Sequence, residues 1–155
     1  MPRAVSQVPV GQSRPVPYLI VRGGTRAIEF YQAALGAAVT MRIEAPSGSI
    51  GHAELTVGEG AIMLADEFPD MGALSPESLG GSPVTIHLYV PDVDDTAARM
   101  VSLGAKMLRP VADQFYGDRG GKLQDPFGHV WWIASRLEDL TPEEIQQRAS
   151  ALFGG

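Results

Sequence analysis

Cysteine is absent from this 155-residue chain, so disulfides, thiolate metal sites and a cysteine nucleophile are all excluded, and a reducing compartment suits it. Runs of Lys or Arg are absent too. With 12 Lys+Arg against 18 Asp+Glu and a net charge of −6, nothing is arranged to neutralise a row of phosphates, which argues against nucleic acid and anionic membranes as partners. Apolar stretches stay at strand length, and residues 1–15 hold no apolar segment of signal-peptide size. The expectation is a cytoplasmic protein. What the chain does have is 45% apolar residues, enough at this length for one well-buried core.

The strongest pattern is an internal repeat. Residues 16–66 and 84–135 superimpose with a shift of 69 residues, which sets Val21 on Val90, Leu64 on Ile133 and Ala65 on Ala134. Each copy opens with an apolar strand, Tyr18-Leu19-Ile20-Val21 or His87-Leu88-Tyr89-Val90. Each continues into a helix that ends in Leu-Gly-Ala, at 35–37 and at 103–105, with one residue fewer before it in the second copy. Such a unit is too long for a solenoid repeat and about right for two half-domains that share a core.

In the first copy, Gly23-Gly24-Thr25 turns the strand into a helix, with Thr25 as expected N-cap and Gly36 as stop. Three strands follow: Val39, Met41 and Ile43 alternate with polar neighbours, Ile50 to Val57 alternates again, and Gly58-Glu59-Gly60 is a hairpin turn before Ala61 to Ala65. The order is βαβββ. Residues 67–83, with three Pro and three Gly, read as a connector. The second copy repeats the order, with Asp92 or Asp94 as helix cap, a strand from Lys106 to Arg109, and a long loop over 110–120 carrying Phe115, Tyr116, Asp118 and Arg119. Residues 1–15 read as a flexible leader, and 136–155 as a C-terminal segment whose helix starts at Thr141-Pro142-Glu143-Glu144, a capping box, and runs to about Leu152.

Alternation assigns faces. Leu19, Val21, Leu88 and Val90 must cover a helix, so Tyr18, Ile20, Thr85, His87 and Tyr89 point the other way, together with Met63 and Trp132 of the closing strands. Tyr18 with Met63 and His87 with Trp132 are therefore repeat-related pairs. His52 and Glu54, two apart on one strand, share a face; they suit a base with its orienting carboxylate, two members of a metal site, or an exposed polar strand face. At a shift of 69 their partners are Gly121 and Leu123, which offer no matching chemistry. Phe115 and Tyr116 suit a lid over a ligand, while Asp118 and Arg119 suit fastening of the loop.

Two βαβββ copies, the opening His87-Leu88-Tyr89-Val90-Pro91-Asp92-Val93-Asp94 and the closing Asp125-Pro126-Phe127-Gly128-His129 with Trp132 resemble the vicinal oxygen chelate superfamily of glyoxalases, bleomycin-resistance proteins, fosfomycin-resistance enzymes and extradiol dioxygenases, and within it the metal-poor glyoxalase-like branch. The resemblance implies an α+β fold in which two βαβββ modules form an open, cup-shaped mixed sheet, with Tyr18, Met63, His87 and Trp132 converging in the concavity. Metal-using members carry His or Glu at these positions. Here only His87 is a ligand type that suits a divalent ion, since Met sulfur is too soft for Mg, Mn or Fe(II) and Trp offers no lone pair. No metal and no cofactor is expected.

A Trp, a Tyr and a Met around one His compose an apolar, polarizable concavity with a single polar handle, which fits a planar organic ligand. The expected function is therefore small-molecule binding, with Tyr18, Met63, His87, Trp132, Phe115 and Tyr116 as ligand contacts. The alternatives are a lyase or isomerase on a carbonyl or aromatic substrate, using His87 or the His52/Glu54 pair as base, a metal-dependent glyoxalase or dioxygenase with non-standard ligands, and an interaction domain with a vestigial cup. Open sheets leave edges and apolar rims uncovered, so a homodimer is expected, with the C-terminal helix as a candidate clasp.

Overall fold

Alternation along the first strand decides which way the chain turns. In the computed structural model, which describes residues 6–154, Leu19 and Val21 of β1 (Tyr18–Val21) are buried and Tyr18 is exposed. The helix α1 (Gly24–Leu35) then lays Ala27, Ile28, Phe30, Tyr31 and Ala34 on the buried side. Thr25 does not cap it. Gly23 occupies the cap position in the left-handed region at φ 93°, and the Asp66 carboxylate accepts from the Gly23 and Gly24 amides at 2.9 and 2.8 Å and from Ile50 N at 2.7 Å. A buried-side carboxylate at a helix start outcompetes a hydroxyl because it meets both the orphan amides and the positive end of the dipole. Gly24 is needed for this fit, since a Cβ there would lie 2.6 Å from Ile50 Cγ1. Gly36, at φ 67°, ends the helix as expected.

The strands β2 (Ala38–Glu44), β3 (Ile50–Val57) and β4 (Gly60–Asp66) complete a four-stranded mixed sheet in the order β1-β4-β3-β2, with β1 parallel to β4. A bulge between Val39 and Met41 turns Val39 to the covered face, opposite Leu55, and Met41 to the open face, opposite Glu54. The second module repeats the plan: β5 (Thr85–Tyr89), β6 (Lys106–Asp113), β7 (Asp118–Gln124) and β8 (Val130–Arg136) form a sheet in the order β5-β8-β7-β6. Its helix α3 (Val93–Ser102) is capped by Asp92, whose side chain accepts from Asp95 N at 3.1 Å.

The connector holds local structure of its own, and one loop expectation is corrected. The segment 67–83 contains a 3-10 turn (Pro69–Met71) and a one-turn helix α2 (Pro76–Leu79), pinned by the Glu67 carboxylate, which accepts from Ser75 N at 2.8 Å, from the Ser75 and Ser78 hydroxyls, and from Arg22 Nε at 3.4 Å. The long loop over 110–120 is instead strand up to Asp113 and again from Asp118, leaving a four-residue link, 114–117. Pro110, which signals a loop, sits where the β6–β7 register shifts on an edge strand, a place where no ladder donor is required.

The covered faces of both sheets, with α1 and α3, belong to one core. Its polar centre is Asp125, 3% exposed, which accepts from Tyr31 Oη at 2.5 Å and Trp131 Nε1 at 3.0 Å and from the Phe127 and His129 amides at 2.9 and 3.0 Å. Module one's helix is thereby tied to module two's closing turn. The His129 ring adds a second tie, with Nε2 2.9 Å from the Ile20 carbonyl. The last helix, α4 (Pro142–Leu152), has the expected Thr141 cap, whose hydroxyl accepts from Glu144 N at 3.2 Å, but buries no residue; Arg148 anchors it to Glu138 and the Phe115 carbonyl. No helix among the described residues is long and apolar enough to cross a membrane.

Candidate functional site

On the open face of sheet one, cross-strand register sets Tyr18, Met63, Glu54 and Met41 in a row. His52 stands in the next row, opposite Ile43. The Tyr18 ring stacks on the His52 ring at 5.5 Å and 27°, its hydroxyl is 2.8 Å from His52 Nδ1, and His52 Nε2 is 3.3 Å from Glu54 Oε1. A carboxylate only accepts, so Nε2 carries the proton toward Glu54 and Nδ1 accepts from the Tyr18 hydroxyl. Partial burial and the Glu54 charge push the Tyr18 phenol above its usual value, which keeps it a donor. The polar strand pair and the expected ligand contact are thus one hydrogen-bonded chain.

On the open face of sheet two the corresponding row is His87, Trp132, Lys122 and Arg109. The His87 and Tyr89 rings meet edge-on at 4.7 Å, and the Tyr89 hydroxyl donates to the buried Asp118 carboxylate at 2.7 Å. Trp132 lies flat over Gly120, where a Cβ would come within 2.8 Å of Nε1. Burial and the Asp118 charge raise the Tyr116 phenol. Phe115 meets Tyr116 edge-on at 5.2 Å and Phe153 edge-on at 5.6 Å. Arg119 lies on β7, not in a loop, and bridges Asp94 (2.8 and 3.0 Å) and Asp113 (2.9 Å), a fastening role.

The structure brings Tyr18 beside Met63 and His87 beside Trp132, each as direct register partners. It does not bring the two pairs together. They occupy separate sheets, and among the described residues no hydrogen bond or ring contact joins one pair to the other. The chain therefore carries two separate pairs, one on the open face of each sheet. Between the β3–β4 turn and β5 runs a groove of about 880 Å³ lined by Arg14, Glu59, Ile62, His87, Tyr89 and Arg136, among others; of the four repeat-related residues only His87 reaches it.

Sheet register also corrects the repeat alignment. Glu54 is opposite Met63 and Lys122 is opposite Trp132, so the counterpart of Glu54 is Lys122, not Leu123, and Gly120 replaces Gly121 as the counterpart of His52. The helix ends already signal this, because Leu35 and Leu103 are 68 residues apart, and the shift of 69 returns only past the β7–β8 turn. Lys122 and Arg109 were missed for that reason. Tyr89 was visible as a face residue but not as a site residue.

The donor set does not fit a catalytic metal. Of Tyr18, Met63, His87 and Trp132 only His87 is a ligand type that suits a divalent ion, since Met sulfur is too soft for Mg, Mn or Fe(II) and Trp offers no lone pair.

Residues 15–133 match the model of the Glyoxalase/Bleomycin resistance protein/Dioxygenase superfamily. An uncharacterized protein of Mycobacterium tuberculosis is 39% identical over 142 residues, covering 90% of this chain and 84% of the relative. Among solved structures, TioX from Micromonospora sp. ML1 superimposes with a TM-score of 0.62 at 26% identity, covering 83% of this chain and 100% of that one. The fosfomycin resistance protein FosX from Listeria monocytogenes, solved with Mn(II) and sulfate, shares the fold with a TM-score of 0.64 at 18% identity, over 89% of this chain and 98% of that one.

Proposed function

The chain belongs to the Glyoxalase/Bleomycin resistance protein/Dioxygenase superfamily, and we propose that within it this protein is a small-molecule binder that takes a planar, largely apolar organic ligand on the open faces of its sheets. One observation carries this reading: the open face of sheet one presents Tyr18, Met63 and Met41 in register and that of sheet two presents His87 beside Trp132, with Tyr18 and Tyr89 left 47% and 55% exposed. Aromatic faces and an adaptable Met grip flat ligands by area and stacking, and His87 supplies one directional hydrogen bond. The same geometry supports a homodimer. A two-fold pairing that sets sheet one of one copy over sheet two of the other gives two complete cups, each holding Tyr18, Met63, His87 and Trp132, and covers exposed Met41 and Ile43.

Calorimetric titration with a panel of planar aromatic compounds, with and without added divalent metal, tests the reading. Trp132→Ala should weaken binding by about tenfold or more. Binding that ignores Trp132→Ala but vanishes in His52→Ala would move the site to the polar chain of sheet one. Light scattering that gives a 16.5 kDa monomer at micromolar concentration would remove the dimer.

The Tyr18–His52–Glu54 chain favours a second reading, a lyase or isomerase acting by proton transfer. The Tyr18 oxygen would take a substrate proton as its own passes to His52 Nδ1, and Glu54 would hold the resulting imidazolium. Turnover lost in His52→Ala with ligand affinity intact separates this from simple binding.

A further inference from the structure

Lys106, Arg109 and Lys122 stand apart from every other described cation. Arg22, Arg42, Arg99, Arg119, Arg136 and Arg148 each pair with a carboxylate. Arg14 donates to the Glu59 carbonyl and Arg26 lies over the Phe127 ring. Among the described residues, the three that remain form no ion pair and no side-chain hydrogen bond, and all three share one patch. Lys106 is opposite Gln124, Arg109 is opposite Lys122, and Lys122 is opposite Trp132, so on the open face of sheet two Lys122 borders the indole and Arg109 and Lys106 follow on the next strand. Arg109 is close enough to Tyr116 to offset part of the rise in its phenol.

In a chain of net charge −6, three neighbouring cations without a carboxylate among them are not explained by fold stability. Asp118, an acid on the same strand as Lys122, is buried and accepts from the Tyr89 hydroxyl. Unpaired like charges repel one another, and what relieves that repulsion is an anion on the same face. An Arg with two Lys around a flat aromatic floor is the arrangement that holds a carboxylate, sulfonate or phosphate attached to a ring. We propose that the ligand is an anionic aromatic compound, its ring on Trp132 and its acidic group between Lys122 and Arg109, with Lys106 at the outer margin. This rests on the planar-ligand reading and names the ligand class for it.

A matched probe pair separates the two ideas: anilinonaphthalene sulfonate and its neutral analogue phenylnaphthylamine, titrated by fluorescence against the full chain. At low salt the sulfonate should bind about tenfold tighter than the neutral probe. Lys122→Gln and Arg109→Gln should each weaken the sulfonate by about tenfold and leave the neutral probe within about twofold, and Arg109→Lys should restore part of the loss. Trp132→Ala should weaken both probes, and raising salt until the Debye length falls to about 3 Å should erase the preference. Equal affinities, or a preference unmoved by both charge variants, overturns the anion assignment and leaves the planar-ligand reading standing. A preference lost in the charge variants, with both probe affinities unchanged in Trp132→Ala, supports the anion site and overturns the stacking floor. If neither probe binds, both fall.

Discussion

Tyr31→Phe isolates the bond on which the joining of the two modules turns. The substitution removes one hydroxyl and leaves the ring in place against Trp131, at 5.7 Å, and against Phe127. What is lost is a hydrogen bond donated to an ionised carboxylate that is 3% exposed, with three other donors remaining on Asp125. Hydrogen bonds to charged groups contribute about 1.5–3 kcal/mol, and no cavity term is added because the ring volume stays. With a urea m-value of about 2 kcal/mol per molar, the unfolding midpoint should fall by about 1 M with the slope unchanged. Burial and the Asp125 charge hold the Tyr31 phenol well above its ordinary 10.0, so this group stabilises fully below pH 10.0 and loses that contribution as pH rises beyond it. The variant should therefore also lose less stability than the parent on the alkaline side. A loss below about 0.5 kcal/mol, or an unchanged alkaline limb, would refute the assignment of Asp125 and Tyr31 as the polar tie between modules.

Other consequences are open to measurement. The Ser75 and Ser78 hydrogen bonds hold the Glu67 carboxyl at about 2 against an ordinary 4.5, so its contribution is present above 4.5 and is lost as pH falls toward 2; Glu67→Gln should flatten acid unfolding across that window, and an unchanged acid limb would disprove it. Removing the charge in Glu54→Gln should bring the Tyr18 phenol back toward 10.0, read from its ultraviolet titration or its carbon resonance; no movement would mean that the two groups are not coupled. Gly128 sits at φ 91° with Pro76 Cβ 2.7 Å from where a Cβ would stand, so Gly128→Ala should destabilise by more than about 1 kcal/mol, and a neutral result would show that the closing turn can relax.

Face assignment was legible because alternation in short strands is a local signal: Leu19, Val21 and Leu64 are buried and Tyr18 is exposed, as the pattern requires. Three things were not. Helix α1 takes its cap from Asp66, more than 40 residues away in the chain, which no local motif announces. Pro110 reads as a loop residue until the shifted register of an edge strand makes room for it. The counterpart of Glu54 was misplaced by one residue because the deletion before the second helix end is restored only at the β7–β8 turn. In a strand a one-residue slip exchanges the two faces, and it hid Lys122 behind the buried Leu123.

With the register corrected, the two modules carry opposite charge at equivalent places: Glu54 faces out beside Met63, and Lys122 faces out beside Trp132. Divergence of the repeat has thus kept the core and separated the chemistry of the open faces. The difference also bears on the dimer. If sheet one of one copy covers sheet two of the other, each cup sets Glu54 of one copy against Lys106, Arg109 and Lys122 of the other. Glu54 is moreover already engaged by His52 at 3.3 Å. Closing the cup would therefore favour heterologous pairing of the faces over like-on-like pairing, since two copies of sheet two set against each other would bring six cations together. The closed cup would remain a site for an anion, held in a lower dielectric than the open face provides. Glu54→Lys should accordingly weaken the dimer in sedimentation while leaving the fold intact, and a dimer unaffected by that reversal would show that the two faces do not meet.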